Sequence, residues 1–542
     1  KFNKNFIFYD IKNLYNFIPK NIANINDNFK ILFFKSDKLY LKIFNKNKTL
    51  FEDIVEDYTF NFKYYVITIL NKNLYFSIKE YDNVISIVFQ SSSHGTHVAS
   101  IVGGYYSENN EKNGICVNSQ LISLKISDTR INGLETSQSL LNAIEYIKNN
   151  NINLVNMSFG EHIDNLNCGL FIDNLEKYCI ENNIIFCTSA GNSGPGYMSV
   201  NSPGGSLSSL ISVGASISKN MYDNMYFNNF NKNKNNKIFH FSSRGPTNDG
   251  DMGICVVAPG GAISSLTSFD ESSLGLKNGT SMASPYVCGL IGNLILHLNY
   301  VPYFYWIKNY IMNSSDKICS NSIHEGMGII NYKNLCNKFL NFNKNEKNYG
   351  FTFKCNYFNK SYRGILLIDI DYNVKIIKVE ICINTFFKES KNNNFNKLYN
   401  IKLSKNLKNI IKIQEKIFLS SDSNKFFCFI NTENISKTLN GHIYFFDKEK
   451  KNNDIIIPVN IFIPEEIEGS LSIPIIKKLK INKNSDNIRY LFTPNNQIIN
   501  ITIPKFDYCE NLIFTLTQFV NNKSFNNQSY KKILFNSINN SY

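Results

Sequence analysis

Nowhere among its 542 residues does this sequence hold a run near the ~20 apolar residues that an α-helix needs to span a bilayer, so no membrane crossing is expected. It contains no Cys-x-x-Cys pair; its twelve cysteines lie dispersed along the chain. A chain of this length buries a sizeable core without covalent staples, so these cysteines read as buried thiols of a reducing compartment, and no metal or cofactor is implied. Arginine-rich helices and interleaved aromatic platforms are also missing. The net charge of +14 comes mostly from lysines scattered among asparagines. Nucleic-acid binding needs charge gathered on one face, which argues against such a partner. Asn, Lys, Ile, Phe and Tyr crowd the whole sequence in the manner of a codon bias, which empties the charge of further meaning. The length fits two or three domains. The chain opens on Lys1 and not on Met, as expected of a piece of a longer polypeptide.

What the sequence does hold is Asn278-Gly279-Thr280-Ser281-Met282-Ala283-Ser284-Pro285, a turn of small residues running into the apolar stretch from Tyr286 to Leu298. Glycine and threonine set a tight turn before a helix, and Pro285 is expected in the first turn, where its missing N–H is not needed. Ser281 then stands at a helix N-terminus, where backbone N–H groups and the helix dipole stabilise an oxyanion formed beside its Oγ. Taken alone, the same stretch also reads as an ordinary capped core helix.

Two other stretches give it company. His94-Gly95-Thr96-His97-Val98-Ala99-Ser100 carries a histidine into a second small-residue turn, and a neutral imidazole is the usual base for a serine hydroxyl. Ile184 to Ser189 reads as a buried strand that ends in Ala190-Gly191-Asn192, where a side-chain amide could donate to an oxyanion. In this order the three segments resemble the subtilisin-like serine proteases. The resemblance implies His94 as general base, Asn192 as oxyanion-hole amide and Ser281 as nucleophile; His97 reads as a helix residue packed behind the site.

Along the chain, residues 1 to about 85 alternate aromatic and apolar runs, such as Ile31–Phe34 and Tyr64–Leu70, with Asn/Lys/Asp turns, a strand pattern. From Val84 to Leu290 strands alternate with helices: Leu121–Ile126 a strand, Gln138–Lys148 a helix, Leu154–Ser158 a strand and Leu170–Asn182 a helix. Such alternation predicts a parallel sheet with helices on its faces and a ligand at the carboxyl ends of the strands. After a polar linker at 341–348, short runs such as Ile365–Ile370 and Ile455–Ile461 predict a β-sandwich to about residue 465. The fold class expected is therefore α/β, a subtilisin-like parallel sheet flanked by helices, followed by all-β sandwich-type domains. Its parts are 1–85, an insert; 86–340, the peptidase core; 349–465, a sandwich; and 466–542, the start of a further β domain.

Strand Leu154–Ser158 leads into Phe159-Gly160-Glu161, in the segment that resembles the cleft wall of subtilisin-like enzymes, with Ser158 and Gly160 as wall residues. Endoproteases of that family usually place a small residue where Glu161 stands. A second acid, Glu135, lies in the loop Asp128–Thr136 before the next helix. Singly, both acids also read as solvated loop residues. Together with HGTHVASIVGGYY from His94, ISLKISDTR from Ile122, VNMSFGE from Val155, SAGNSGP from Ser189, SSRGPTNDG from Ser242, APGGAI from Ala258 and NGTSMASP from Asn278, they resemble the tripeptidyl peptidase II family. In that family two glutamates at these positions bind the free α-amino group of the substrate. The resemblance implies a cytoplasmic exopeptidase that takes peptides with free N-termini, works in protein turnover and assembles into a large homo-oligomer.

One piece of a serine–histidine machine is missing. Subtilisin-like chains orient the imidazole with an Asp-Thr-Gly or Asp-Ser-Gly on an early strand, and neither tripeptide occurs here. Asp10 follows the apolar run Phe6–Tyr9, but Ile11–Lys20 resembles a segment of the long insert that follows the aspartate strand. The aspartate is therefore expected before Lys1. A subtilisin-like endopeptidase with an acidic cleft, or a non-catalytic assembly module, are the other readings the sequence leaves open.

Overall fold

The computed structural model describes residues 6–9, 29–35, 38–45, 48–61, 63–69, 72–81, 84–89, 92–128, 134–161, 168–226, 236–267, 273–319, 321–340, 348–368, 374–388, 395–435, 437–447, 452–463, 465–466, 491–492, 511–518 and 529–536. Asp10 to Lys20, the linker at 341–347 and most of 466–542 lie outside them. The chain divides into two compact units: residues 1–143 with 262–277, and residues 144–261 with 278–542.

The first unit begins with an antiparallel sheet of Phe6–Tyr9, Phe29–Lys35, Leu39–Asn45 and Lys48–Val55, in that order. A second meander follows, Tyr65–Ile69, Lys72–Tyr81 and Val84–Phe89. Strand periodicity of two puts alternate residues inside. Leu39, Leu41 and Ile43 of one strand and Leu74, Phe76 and Ile78 of another share a core with Ile31, Val55 and Ile67. Helix α1 (Ser93–Gly103) comes next, capped by Ser92, whose Oγ accepts from His94 N–H at 3.2 Å. The expected strand Leu121–Ile126 does not form. Leu121 and Ile122 are exposed, and an apolar run becomes a strand only where another strand offers its N–H and C=O groups. Pairing starts at Ser127–Asp128, which meets Leu134–Glu135. Helix α2 (Ser137–Asn149) covers the predicted 138–148.

The second unit holds the parallel sheet. Strands β1 (Leu154–Met157), β2 (Ile185–Ser189), β3 (Ile211–Ile217) and β4 (Val256–Pro259) pair in that order, all parallel, with α3 (Leu170–Asn182) between β1 and β2. Every residue of β2 and β3 is buried, as expected of parallel strands covered on both faces. The cover includes α4 (Thr280–Leu298), which lies against all four strands. Its buried Ala283, Val287, Leu290, Ile291 and Leu294 recur at helical spacing. By length and composition alone α4 is apolar enough to cross a membrane. Interspersed Ser, Gly, Pro and Asn keep it from reading as one apolar run, and eleven of its residues are buried in this fold.

Helix α5 (Phe304–Ser314) joins the sheet layer to a β-sandwich. One five-stranded sheet runs Lys360–Tyr362, Tyr349–Tyr357, Ile376–Phe387, Asn424–Asn431, Ile411–Lys412; the other runs Ile365–Ile368, Asn453–Phe462, Leu439–Phe446, Asn396–Leu403, Lys416–Ser420. Val379, Ile381 and Cys428 from one sheet and Tyr399, Ile443, Phe445 and Val459 from the other fill the space between them. The sandwich is tied to α5 by Tyr305 Oη donating to Asp454 O at 2.6 Å and Asn309 Nδ2 donating to Asn453 O at 2.8 Å.

Ile291 is fully buried between α4 and the sheet. Ile291→Ala is expected to lower stability by about 2–5 kcal/mol through lost contacts and the cavity left behind. Urea unfolding checks this: the midpoint should drop while the slope stays constant.

Candidate functional site

The site in the second unit starts from an unusual helix end. Gly279, the N-cap of α4, has no side chain to satisfy the first N–H groups of the helix, so another residue must do so. Asn192 does. Thr280 N–H donates to Asn192 Oδ1 at 2.9 Å, and Thr280 Oγ1 donates to the same oxygen at 3.0 Å. Because an N–H can only donate, the contacting atom of Asn192 must be its carbonyl oxygen, which leaves the amide Nδ2 as a donor beside the helix N-terminus. Gly191 N–H donates to Thr280 Oγ1 at 3.2 Å, closing the link between the end of β2 and the start of α4. Gly191 has φ +111°, and a Cβ there would stand 2.7 Å from both the Asn201 side chain and Ser243 Oγ; only glycine suits it.

Ser281 is half-buried in the first turn of α4. Pro285, expected in that turn, stands in the second, because the helix starts at Thr280. At this place its missing N–H is the one that would have bonded to the carbonyl of Ser281. Ser158 fills the gap: its Oγ donates to Ser281 O at 2.8 Å, while Ser281 Oγ donates back to Ser158 O at 3.2 Å. Behind this clasp, Asn156 Nδ2 donates to Ser158 Oγ at 3.0 Å and Ser284 Oγ donates to Asn156 Oδ1 at 2.6 Å. Thus β1 and the first two turns of α4 are joined by a continuous polar chain.

Beyond β1 the chain continues into the predicted wall. Glu161 and Ser202 form an antiparallel bridge, with Glu161 N–H to Ser202 O at 3.0 Å and Ser202 N–H to Glu161 O at 2.8 Å. Asn201 Nδ2 donates to Gly160 O at 3.3 Å, and a Cβ on Gly160 would meet Ser202 O at 2.7 Å. Backbone pairing fixes the wall while the Glu161 side chain stays exposed. Asn192 is exposed as well.

His94 and Glu135 belong to the first unit. His94 sits in the first turn of α1 with its ring reaching solvent. Partial loss of hydration, then the positive charge of Lys277, then His97, hold its pKa below the ordinary histidine value. His97 is fully buried, with Nε2 3.1 Å from Ala262 O and 2.9 Å from Gly275 O. Two acceptors on one nitrogen put the proton there, and burial keeps the ring neutral in spite of them. Glu135 lies half-buried on the short strand that pairs with Ser127. Among the described residues no three His, Cys, Asp or Glu side chains gather as metal ligands. Asp10 lies outside the described residues.

Sequence reasoning passed over Asn156, Thr280, Ser284 and Asn201. Thr280 and Ser284 stood in view inside the serine turn, and their burial was the missing fact. Asn156 carried one signal, an amide in the middle of an apolar strand, where a polar group needs a partner.

The sequence model of the Subtilase family matches residues 65–349. Tripeptidyl-peptidase 2 of Arabidopsis thaliana is 42% identical over 212 residues, which cover 39% of this chain and 15% of that protein. Tripeptidyl-peptidase 2 of Drosophila melanogaster is 32% identical over 318 residues, 55% of this chain and 22% of that protein. The chain thus spans about a fifth or less of the length of these relatives. Among solved structures, a crystal structure of tripeptidyl peptidase 2 superposes with a TM-score of 0.68 at 23% identity, covering 84% of this chain and 36% of that one. That likeness carries the fold.

Ser284→Ala leaves the half-buried Asn156 Oδ1 without its 2.6 Å donor. It is expected to cost about 1–3 kcal/mol, the usual penalty of an orphaned buried acceptor. Denaturant unfolding of the single variant measures it; a change below a few tenths of a kcal/mol would mean that the chain contributes nothing.

Proposed function

This chain belongs to the subtilase family, and from that premise we propose that it is the catalytic part of a serine peptidase of tripeptidyl-peptidase 2 type, releasing tripeptides from free N-termini in cytosolic protein turnover. The observation that carries the reading is that the segment following β1 both clasps the Ser281 helix start through Ser158 and, three residues on, holds an exposed glutamate, Glu161, in a backbone bridge to Ser202. Similarity to tripeptidyl-peptidase 2 of plants and animals supports it.

In this reading His94 takes the proton of Ser281 Oγ as the oxygen attacks the scissile carbonyl. Asn192 Nδ2 and the N–H groups at the start of α4 receive the oxyanion, and His94 then gives its proton to the leaving amine. Water hydrolyses the acyl-enzyme by the same steps in reverse. The neutral amide of Asn192 is worth about 3 kcal/mol to the transition state, if it behaves as such donors usually do. Glu161 and Glu135 take the substrate's α-ammonium. Three extended residues span roughly 10 Å, so an ammonium anchor sets which bond reaches the serine. We read the chain as an insert at 1–85, a peptidase core at 86–340, a sandwich at 349–465 and a further β domain from 466, the strand-rich parts serving assembly into a large homo-oligomer. The cytosolic setting is supported by the thiols. Buried Cys187 sits in hydrogen-bond contact with buried Cys288, an arrangement of thiols that suits a reducing compartment.

The test compares a tripeptide reporter bearing a free amine with its acetylated twin, with Ser281→Ala as the blank. An acetylated terminus leaves the acids unpaired, so wild type should prefer the free amine by over about 100-fold in kcat/KM. Glu161→Gln should raise KM more than it lowers kcat, since the ammonium is held alike in ground and transition states. Equal cleavage of the two reporters by wild type would favour an endopeptidase instead.

The pH profile gives a second check. A protonated imidazole cannot take the serine proton, so activity is lost as pH falls through the pKa of His94. Because burial, Lys277 and His97 all lower that pKa, the acidic limb of kcat/KM should lie below pH ~6.5. Lys277→Gln removes one of the lowering charges, and the limb should move to higher pH; movement to lower pH would contradict the assignment.

A further inference from the structure

Besides its contacts with α5, the β-sandwich reaches the loop of Asp249 and Asp251 through one side chain, Arg363. Arg363 stands in the turn between Lys360–Tyr362 and Ile365–Ile368. Its Nε donates to Asp249 Oδ2 at 2.5 Å and its Nη2 to Asp249 Oδ1 at 3.1 Å, while Nη1 lies 3.0 Å from Asp251 Oδ2. The Nη2 group also donates to the backbone carbonyl of Gly205 at 2.7 Å. A guanidinium offers five donors in a rigid plane, so one side chain can hold two carboxylates and a carbonyl at once. The backbones come together at the same place. Arg363 N–H donates to Asp249 O at 2.8 Å, and a Cβ on Gly364 would stand 2.1 Å from Gly250 O.

The carbonyl that Arg363 holds is no ordinary one. Gly205 N–H donates to Asn201 O at 2.7 Å, so the turn from Asn201 to Gly205 is gripped at its far end by the arginine. The near end of that turn is the wall support: Ser202 pairs with Glu161 in both directions and Asn201 Nδ2 holds Gly160 O. Asn201 N–H also donates to Ala190 O at 2.9 Å, two residues before Asn192. From these links we propose that Arg363 is a positioning residue for substrate selection: the sandwich, through Gly205 and the Asn201–Ser202 turn, sets the place of Glu161. The part about substrate rests on the tripeptidyl reading above; the part about the turn does not.

The device acts by geometry and not by charge alone. A lysine in place of Arg363 keeps a cation beside Asp249 and Asp251 but has a single nitrogen, which cannot also reach Gly205 O in the same plane. The Arg363→Lys variant of the full-length protein is therefore the main test, with Arg363→Gln and Asp249→Asn beside it. Two readouts are needed. With free-amine and acetylated tripeptide reporters, Arg363→Lys should raise KM for the free amine by roughly five- to tenfold with kcat within about twofold, and leave the acetylated twin unchanged, so that selectivity falls. By hydrogen exchange, the peptides holding Glu161 and Ser202 should lose about tenfold or more in protection while β2 and β3 exchange as before. Should the variant's melting temperature fall with selectivity and wall protection both unchanged, Arg363 only fastens the sandwich and the proposal is overturned. It is equally overturned if kcat and KM worsen together as the exchange of β2 and β3 rises, since that is loosening of the whole unit. Wild type that cuts both reporters alike defeats the tripeptidyl reading instead, and exchange at Glu161 and Ser202 then decides the positioning role by itself.

Discussion

Everything near Ser281 depends on how a helix can begin without a capping side chain. Gly279 satisfies none of the orphan N–H groups of α4, and burial makes such groups costly to leave alone. Asn192 supplies the acceptor from the end of β2, and in doing so it commits its oxygen and turns its amide nitrogen to the helix N-terminus. One requirement of backbone chemistry thereby orients a donor beside the start of the helix, where the proposed reading puts the oxyanion. Pro285 makes a matching demand one turn later. By withholding an N–H it frees the carbonyl of Ser281, and Ser158 answers from β1. The two strands that flank the helix start are thus held to it by groups that the helix cannot satisfy within itself.

Buried polar chains of this sort set geometry better than apolar packing does, because a half-satisfied member is penalised more than a shifted methyl group. Ser284, Asn156 and Ser158 form such a chain, and Thr280 forms a second with Asn192 and Gly191; the two members from α4, Ser284 and Thr280, are fully buried. Below them the apolar face of α4 fixes the helix against the sheet. The division of labour is plain: Val287, Ile291 and Leu294 contribute stability, while Thr280 and Ser284 set rotation and register.

The sandwich is more than an appendage to this layer. It docks through α5 at Asn453 and Asp454, and through Arg363 at a loop that abuts the wall turn. Leu366 and Phe462 of the sandwich also pack against Met198 and Ile323, and attachments far apart in sequence restrain rotation as a single one could not. Close backbone approach at Gly250 and Gly364 leaves no room for any side chain between them.

The sequence by itself determined the local events. A small-residue turn before an apolar stretch specified the start of α4, the alternation of runs specified the parallel sheet and the later sandwich, and short motifs singled out Ser281, Asn192 and His94 as candidates. These are properties of neighbours in the chain, where propensity and periodicity act. Only the tertiary structure decided the partners. Leu121–Ile126 had a strand's pattern but found no ladder, and Pro285 fell one turn later than its motif suggested. Ser284 meets Asn156 from 128 residues away, and Arg363 meets Asp249 from 114. No local rule reaches so far: a hydrogen bond requires two groups within about 3 Å, and which distant groups come that close is set by how the sheet, helix and sandwich pack together.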